Sequence, residues 1–470
     1  MESVPAAKVD RVVPLVIACT FFMQMLDTSI LNTSLPQMAR AFGVKPLDMS
    51  LGVTVYMLVF AAMLPLSGWL SDRFGARTIY VLAVGVFTAS SLACGLSSSL
   101  PTFVAARAVQ GLGASMMTPV GRVIVVRTTS RSGLLQAMAT ISWPALAAPL
   151  IGPLLGGFLT TWASWRWNFF VNIPIGIVGA SLIRAFVPAI PARPGRKFDM
   201  TGFVLSSSSM ASLLFGIESA AHGDGSWNSL ASLAWGVLGG AWAVIHLRRV
   251  EAPLLDLAPL GIPSFRLATL SAGMWVRVAI SSTPFLLPLL FQIGLGCSPI
   301  VSGAFLTSYF AGNLAMKGLA PAALRAYGFR PVVVLNASFV GISLLSMLFI
   351  GGRLPTFVIV AFLFLCGLVR SLQFTSMATL VFADVPVDLS APASTISSMA
   401  QQISMAFGVA FTTGCLTLSR AVSERSELVL RDFRVAIVGA ALLAFLASWI
   451  FRGLSPSVGA EITGRSSAVP

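Results

Sequence analysis

Charge is what this chain has least of. Of 470 residues only 10% are Asp, Glu, Lys or Arg, where a soluble globular protein carries about 25%. No stretch is polar enough to enclose a soluble core, so the domains are expected to lie in a bilayer. Acidic residues are the scarcer sign, 16 against 30 basic. The two histidines, His222 and His246, stand far apart without neighbours that complete a metal site. Five cysteines (Cys19, Cys94, Cys297, Cys366 and Cys415) sit in or beside apolar runs, at neither metal-ligand nor disulfide-framework spacing. No Gly-rich Lys-Ser/Thr phosphate loop is present, which disfavours an ATP-driven pump. An enzyme working on lipid-linked substrates would want clustered acids or a nucleophile at one membrane face. Asp384 with Asp388 is the nearest approach, and that pair reads as a solvated loop. No cofactor or metal is expected. The net charge of +14 would suggest nucleic acid in a soluble protein. Here the basic residues fall in short connectors, without interleaved exposed aromatics, and nucleic acid is not an expected partner.

Apolar sequence is what the chain has instead: 56% of its residues, with a mean hydropathy of +0.88. A hydrocarbon layer about 30 Å thick needs around 20 helical residues, and about fourteen segments suit it. Six run from Val12 to Phe186, two follow at Gly202–Ala220 and Leu230–Ile245, and six more run from Ala268 to Phe451. The first, Val12–Asn32, is too long for a cleaved leader and lacks a small-residue cleavage site, so it reads as a retained span. An even count puts both termini on one side. Placing them in the cytoplasm puts most basic residues there, among them Arg73, Arg77, Arg122, Arg127, Arg131, Arg248 and Arg249, as the positive-inside rule requires. The last external loop, with Arg420, Arg425, Arg431 and Arg434, runs against it. Arginine outnumbers lysine, a usage that fits a GC-rich bacterial genome, and the expected location is the bacterial inner (cytoplasmic) membrane.

The connectors Pro188–Asp199 and Arg248–Arg266 are the most polar inside the chain and bracket the seventh and eighth segments. The expected organisation is an all-α polytopic membrane protein. A six-helix bundle (1–187) and a second one (266–470) flank two inserted helices with their connectors (188–265). A faint repeat supports the division: Gly75 and Arg77 after the second segment match Gly328 and Arg330 in the second half. Small residues also recur at four-residue intervals at Ala148, Gly152 and Gly156, and again at Ala406, Ala410 and Gly414. Such stripes let helices approach closely, and duplicated bundles are the architecture of alternating access.

Asp27 is the only acidic residue well inside a first-half segment. Ionised at a helix centre it costs about 2.5–3.5 kcal/mol. A carboxyl that takes up a proton on one side and releases it on the other is what a proton-coupled carrier needs. An Asp that bonds Thr28 or Ser29 and pins helix packing is the alternative. Arg107, followed by Gln110, Gly111 and Gly113, is as costly to bury; exchange of a pairing with Asp27 would couple a proton to a conformational change, whereas a static pairing would only brace two helices. Gln110, Arg277 and Arg370 are candidate substrate contacts, and the two arginines either meet an anionic cargo or snorkel to an interface. The charged turn containing Gly68, Asp72, Arg73, Gly75 and Arg77 reads as a latch between states. Gly152, Pro153, Gly156 and Gly157 favour close helix contact and a bend.

These residues carry a resemblance. Leu26 to Asn32, with Leu35 and Pro36, resembles the first-span signature of the fourteen-span drug:proton antiporter branch of the major facilitator superfamily. The Gly68–Arg77 turn resembles that superfamily's cytoplasmic loop motif. Arg107, Gln110, Gly111 and Gly113 resemble its fourth-span motif, and Gly152, Pro153, Gly156 and Gly157 its antiporter motif. Trp165 to Gly176 is similar to the branch's sixth-span entry. Pro288, Gln292, Gly294, Gly296, Gly303, Gln401 and Gln402 are spaced as in its bacterial multidrug transporters. Arg325 stands where the first half has Asp72, which weakens the second-half latch. The resemblance implies a proton-coupled exporter of small amphiphilic molecules, with a small-molecule substrate, protons and the lipid bilayer as partners. A dedicated exporter of one metabolite or organic anion is the alternative, for which Arg277 and Arg370 supply charge recognition.

Overall fold

The computed structural model describes residues 6–31, 34–44, 49–189, 192, 197–221, 226–297, 299–350, 354–423 and 429–464, and among these every regular element is helical. Each of the fourteen expected segments is mainly helical where it is described, with short turns interrupting several of them. Among the described residues, eleven helices are long and apolar enough to cross a membrane, and a twelfth arises if one bent pair counts as a single span. His222, Arg193, Arg196, Arg425 and Asn32 lie outside the described residues.

By packing, the chain divides into two units. Unit 1 comprises Met1–Ser212, Ala234–Leu257 and Pro386–Met399, and unit 2 comprises Leu213–Leu233, Ala258–Val385 and Ala400–Pro470. In chain order the helices of unit 1 are α1 (Ala6–Leu31), α2 (Leu35–Phe42), α3 (Ser50–Met63), α4 (Leu66–Phe74), α5 (Ala76–Leu96), α6 (Leu100–Thr128), α7 (Leu134–Ser142), α8 (Pro144–Trp162), α9 (Trp167–Phe170) and α10 (Asn172–Phe186). Parts of α11 (Met200–Ala221) and α12 (Trp227–Arg249) belong to each unit. Unit 2 holds α13 (Pro263–Thr269), α14 (Ala272–Leu289), α15 (Pro299–Tyr327), α16 (Phe329–Ser346), α17 (Thr356–Leu380), most of α18 (Ser390–Val422), α19 (Leu430–Phe451) and α20 (Ala460–Thr463).

Local chemistry explains the breaks. The second expected segment is not one rod: α3 and α4 meet at a 58° bend. Pro65 sits at that junction without an N–H to continue the ladder. The fifth breaks between α7 and α8 at Pro144 for the same reason. α14 carries Pro284 and Pro288 and runs into a π-helical turn at Leu290–Gly294. α6 starts where Ser99 N–H donates to Thr102 Oγ1 at 3.3 Å, ahead of Pro101, which loses no bond in a first turn.

The repeat seen in the sequence performs the same task in both units. Gly75 and Gly328 adopt φ of 86° and 79°, a region that disfavours any residue with a Cβ. Two residues on, Arg77 donates to the carbonyl of Arg184 near the end of α10, and Arg330 to that of Arg452 just beyond α19 at 3.1 Å. Each arginine satisfies a carbonyl that the end of a helix leaves without an intrahelical donor. The small-residue stripes are less symmetric. A Cβ on Gly152 would strike Ser29 of α1, whereas Gly414 faces open space; in α18 the close approach falls at Gly408, where a Cβ would lie 2.8 Å from the carbonyl oxygen of Val278.

Candidate functional site

Four helices of unit 1 bring polar side chains to one buried point. Asp27 (α1), Arg107 and Gln110 (α6), Ser91 (α5) and Asn172 (α10) are each at most 1% exposed. Arg107 Nη1 donates to Asp27 Oδ2 at 2.6 Å and to Gln110 Oε1 at 2.6 Å. Asp27 Oδ1 accepts from Gln110 Nε2 at 2.8 Å and from Asn172 Nδ2 at 2.9 Å, and Ser91 Oγ accepts from both amides. The guanidinium reaches the Gly52 carbonyl through Nε at 3.4 Å and lies 4.2 Å from the Tyr56 ring centre, so α3 completes its surroundings. Buried ion pairs persist only when their remaining donors and acceptors are met. Here the carboxylate has three donors, all from other helices. Thr28 bonds the Met25 carbonyl instead.

Glycine makes the convergence possible. A Cβ on Gly111 would sit 2.6 Å from the Tyr56 carbonyl oxygen, and one on Gly113 would sit 2.8 Å from the Phe87 nitrogen. α3 and α5 therefore press backbone to backbone on α6, beside Arg107.

One end of the network is stoppered. Leu31, Phe103 and Phe169 stand one helical turn from Asp27, Arg107 and Asn172, all toward the same end, and share a buried cluster with Met38, Cys94 and Trp165. Phe103 and Phe169 pack edge to face with centroids 5.7 Å apart. Water is excluded from the pair on that side.

The charged turn forms a second site in unit 1. Asp72 Oδ1 pairs with Arg127 Nη2 at 3.0 Å, and Arg127 Nε donates to Ser390 Oγ at the start of α18 at 2.9 Å. Ser67 Oγ meets Thr395 Oγ1 at 3.1 Å, and Ser394 Oγ donates to the Pro119 carbonyl at 2.7 Å. Gly68 is needed here, because a Cβ would lie 2.9 Å from Thr395 Oγ1. Arg73 is half-buried.

The other expected site residues separate. Gly156 is buried, Gly157 has open space where a Cβ would project, and the Pro153 side chain is outside the described residues. Arg277, 5% exposed, donates to the Thr269 carbonyl at 3.2 Å. Arg370, on α17, lies far in sequence from the Asp27 network and belongs to unit 2. Sequence reasoning missed Asn172 as a partner of Asp27, although it stands inside the Trp165–Gly176 run. It also missed Arg127 as the partner of Asp72, and Lys317, which is 6% exposed on α15. Ending that helix near Leu319 made Lys317 look terminal; the helix runs on to Tyr327.

A family model described as Major Facilitator Superfamily matches residues 17–409. The chain belongs to this superfamily. Its relatives include the "Putative multidrug resistance protein MdtD" of Escherichia fergusonii and that of Escherichia coli K12. Each is 37% identical over 441 residues, 93% of either chain. Among solved structures it resembles the proton:xylose symporter XylE at 14% identity (TM-score 0.63, covering 97% of this chain and 99% of that one). It also resembles the human organic anion transporter MFSD10 at 16% identity (TM-score 0.65, 96% and 100%). At such identities the likeness is one of fold. A transporter of this superfamily, and not an enzyme, is what the chain is; its chemistry is the binding and release of a small molecule across a bilayer.

Proposed function

We propose that this superfamily member is a secondary active transporter that exports small amphiphilic molecules in exchange for protons by alternating access. Its place is the bacterial inner membrane, with both termini cytoplasmic and two six-helix bundles (1–187 and 266–470) flanking the inserted pair. The observation that carries the reading is the Asp27–Arg107 pair, sealed in unit 1 and bonded through neutral partners that can exchange. When Asp27 takes a proton, Arg107 keeps Gln110 Oε1 as an acceptor, so the salt bridge can open without stranding every donor of the guanidinium. Asp27 and Arg107 then couple protonation to rearrangement, and Gln110 passes the change between them. The turn holding Gly68, Asp72, Arg73, Gly75 and Arg77 acts as the latch, released when Arg127 leaves Asp72. Gly152 gives α8 the close approach to Ser29 of α1 that such movement needs, and Pro153, Gly156 and Gly157 act with it as the antiporter motif.

The driving force suffices. One charge moved is worth about 2.3 kcal/mol per 100 mV, and about 1.4 kcal/mol is a tenfold ratio, so one proton sustains a gradient of about fiftyfold. The test is cargo-dependent proton movement in sealed vesicles, across a panel of lipophilic molecules, with Asp27→Asn beside the unaltered protein. Proton release triggered by cargo and abolished in Asp27→Asn supports the reading. Undiminished coupling in Asp27→Asn removes Asp27 from the proton path.

A further inference from the structure

Unit 2 handles its intramembrane charge differently from unit 1. Arg370 has Nε and Nη1 shut away from solvent with no hydrogen-bond partner. Its guanidinium lies 5.6 Å from the ring centre of Tyr309 and 5.9 Å from that of Phe310. Lys317 donates to Thr375 Oγ1 at 2.7 Å and lies 5.8 Å from the Phe374 ring centre. Neither cation makes an ion pair with any described residue. They stand on α15 and α17, the two helices of one crossing.

That crossing is built to hold them there. A Cβ on Gly312 of α15 would strike the Phe364 carbonyl oxygen, and one on Gly367 of α17 would strike that of Tyr309. The two backbones touch at these glycines, with Lys317 five residues beyond one and Arg370 three beyond the other. Ring faces attract a cation without accepting its in-plane N–H bonds, and a threonine hydroxyl accepts a bond without cancelling a charge. An uncompensated buried charge is among the most destabilising features a fold can keep, and in a membrane helix it marks a substrate or ion path. Beside Arg370 lies a cavity of about 10 Å3, lined also by Thr283 of α14, Tyr309 of α15, Ser343 of α16 and Cys366 of α17. That is room for about one water. A water can meet an N–H but cannot balance two cations.

We propose that Arg370 and Lys317 are the anion-recognition element of the cargo site, and that the cargo is an amphiphilic organic anion, a carboxylate being the simplest. The proposal rests on the export reading above for the word cargo, and on unit 2 alone for its charge. Arg370 supplies the unmet N–H donors, Lys317 the second charge, and the Tyr309 and Phe310 rings the apolar wall for the cargo's body. The cavity widens as the anionic group replaces its water. Lipophilic cations are disfavoured by the same two charges.

The experiment follows thermal unfolding of the purified full-length protein in detergent, at fixed pH and ionic strength. The probes are 1-naphthoate, 4-phenylbutyrate and decanoate, each against its own amide, with tetraphenylphosphonium as the cation. The expected result is that at least one acid raises the unfolding temperature where its amide does not. Arg370→Gln abolishes that preference, Arg370→Lys keeps part of it, and Lys317→Met weakens acid binding tenfold or more. Without ligand, Arg370→Gln and Lys317→Met unfold at or above the unaltered protein's temperature, because each removes an uncompensated charge, whereas a structural brace would show a fall. Should Arg370→Gln fail to fold, Lys317→Met carries the same comparison. Equal shifts by acids and amides, acid preference surviving in Arg370→Gln, or preferential stabilisation by tetraphenylphosphonium overturns the proposal. Asp27→Asn is run alongside. Acid preference intact there, with cargo-coupled proton movement absent from the unaltered protein, sinks the antiport reading and leaves this one standing.

Discussion

Removing both members of the Asp27–Arg107 pair is expected to cost less than the two single changes together. Both side chains are 1% exposed and 2.6 Å apart, and breaking a buried pair by deleting one partner costs about 3–5 kcal/mol. Asp27→Asn should fall near the lower end, because Arg107 keeps Gln110 Oε1, the Gly52 carbonyl and the Tyr56 ring face. Arg107→Met leaves the carboxylate with Gln110 and Asn172, which are neutral donors, and should cost about 4 kcal/mol on the same scale. In the double variant no charge remains to be desolvated, and the coupling energy should reach about 2–3 kcal/mol. Unfolding titrations in mixed micelles, followed by circular dichroism, measure all four corners of the cycle. Additivity to within about 0.5 kcal/mol would refute the claim that the two groups act as one buried unit, and with it the reasoning that opening the pair drives a rearrangement.

Three further outcomes follow from the packing. Gly113→Val places a side chain 2.8 Å from the Phe87 backbone nitrogen and should destabilise by about 1–3 kcal/mol, while Gly157→Ala, which meets nothing within 4 Å, should leave the same melting curve unmoved. Phe103→Ser cuts the apolar stopper over the pair, and proteoliposomes carrying it should leak protons severalfold faster than the unaltered protein in a pH-dye assay; an unchanged leak would mean that Phe103 does not seal the network. Burial pushes the Asp199 carboxyl up, but the Gly202 N–H, the His246 ring and the Leu254 N–H outweigh it and hold it below its ordinary value of 3.8. A depressed carboxylate stabilises fully above the unfolded value and loses its contribution as pH falls through the folded one. The melting difference between the unaltered protein and Asp199→Asn should thus be constant at neutral pH and shrink below about pH 4; a difference that grows with acid would reverse the sign.

Apolar run length made the helices legible before any coordinates, since a bilayer leaves the backbone few choices. The bends were less so: Pro65 and Pro144 were visible, yet a proline in a span either kinks or is absorbed, and neighbouring helices decide which. Asp27 and Arg107 could be named because each is expensive on its own. Their neutral partners could not: Ser91 and Asn172 cost little as single residues, and only a shared point in space makes them part of the network. Lys317 escaped for a different reason, because a misplaced helix end turns a buried cation into an apparent loop residue. Arg127 escaped because its partner, Asp72, is 55 residues away.

Charge placed differently in the two units has a consequence for energetics. Unit 1 pairs Asp27 with Arg107, and on the antiport proposal a proton entering at Asp27 is the charge it moves. In unit 2, Arg370 and Lys317 pair with no carboxylate among the described residues, and on the anion proposal a monoanionic cargo leaving past them carries negative charge outward. Both movements transfer positive charge inward, so one cycle moves two charges, worth about 4.6 kcal/mol per 100 mV, or about a two-thousandfold gradient by the tenfold-per-1.4 kcal/mol rule. A monovalent cation exchanged for one proton would move no net charge and ignore the potential. Proteoliposomes with a potassium gradient and valinomycin separate the cases. A negative interior potential should accelerate acid-driven proton exchange and give a transient current in the same direction, and Arg370→Gln should remove the current. If exchange proceeds at the same rate at zero and at 100 mV, the anion assignment and the current it implies are both wrong.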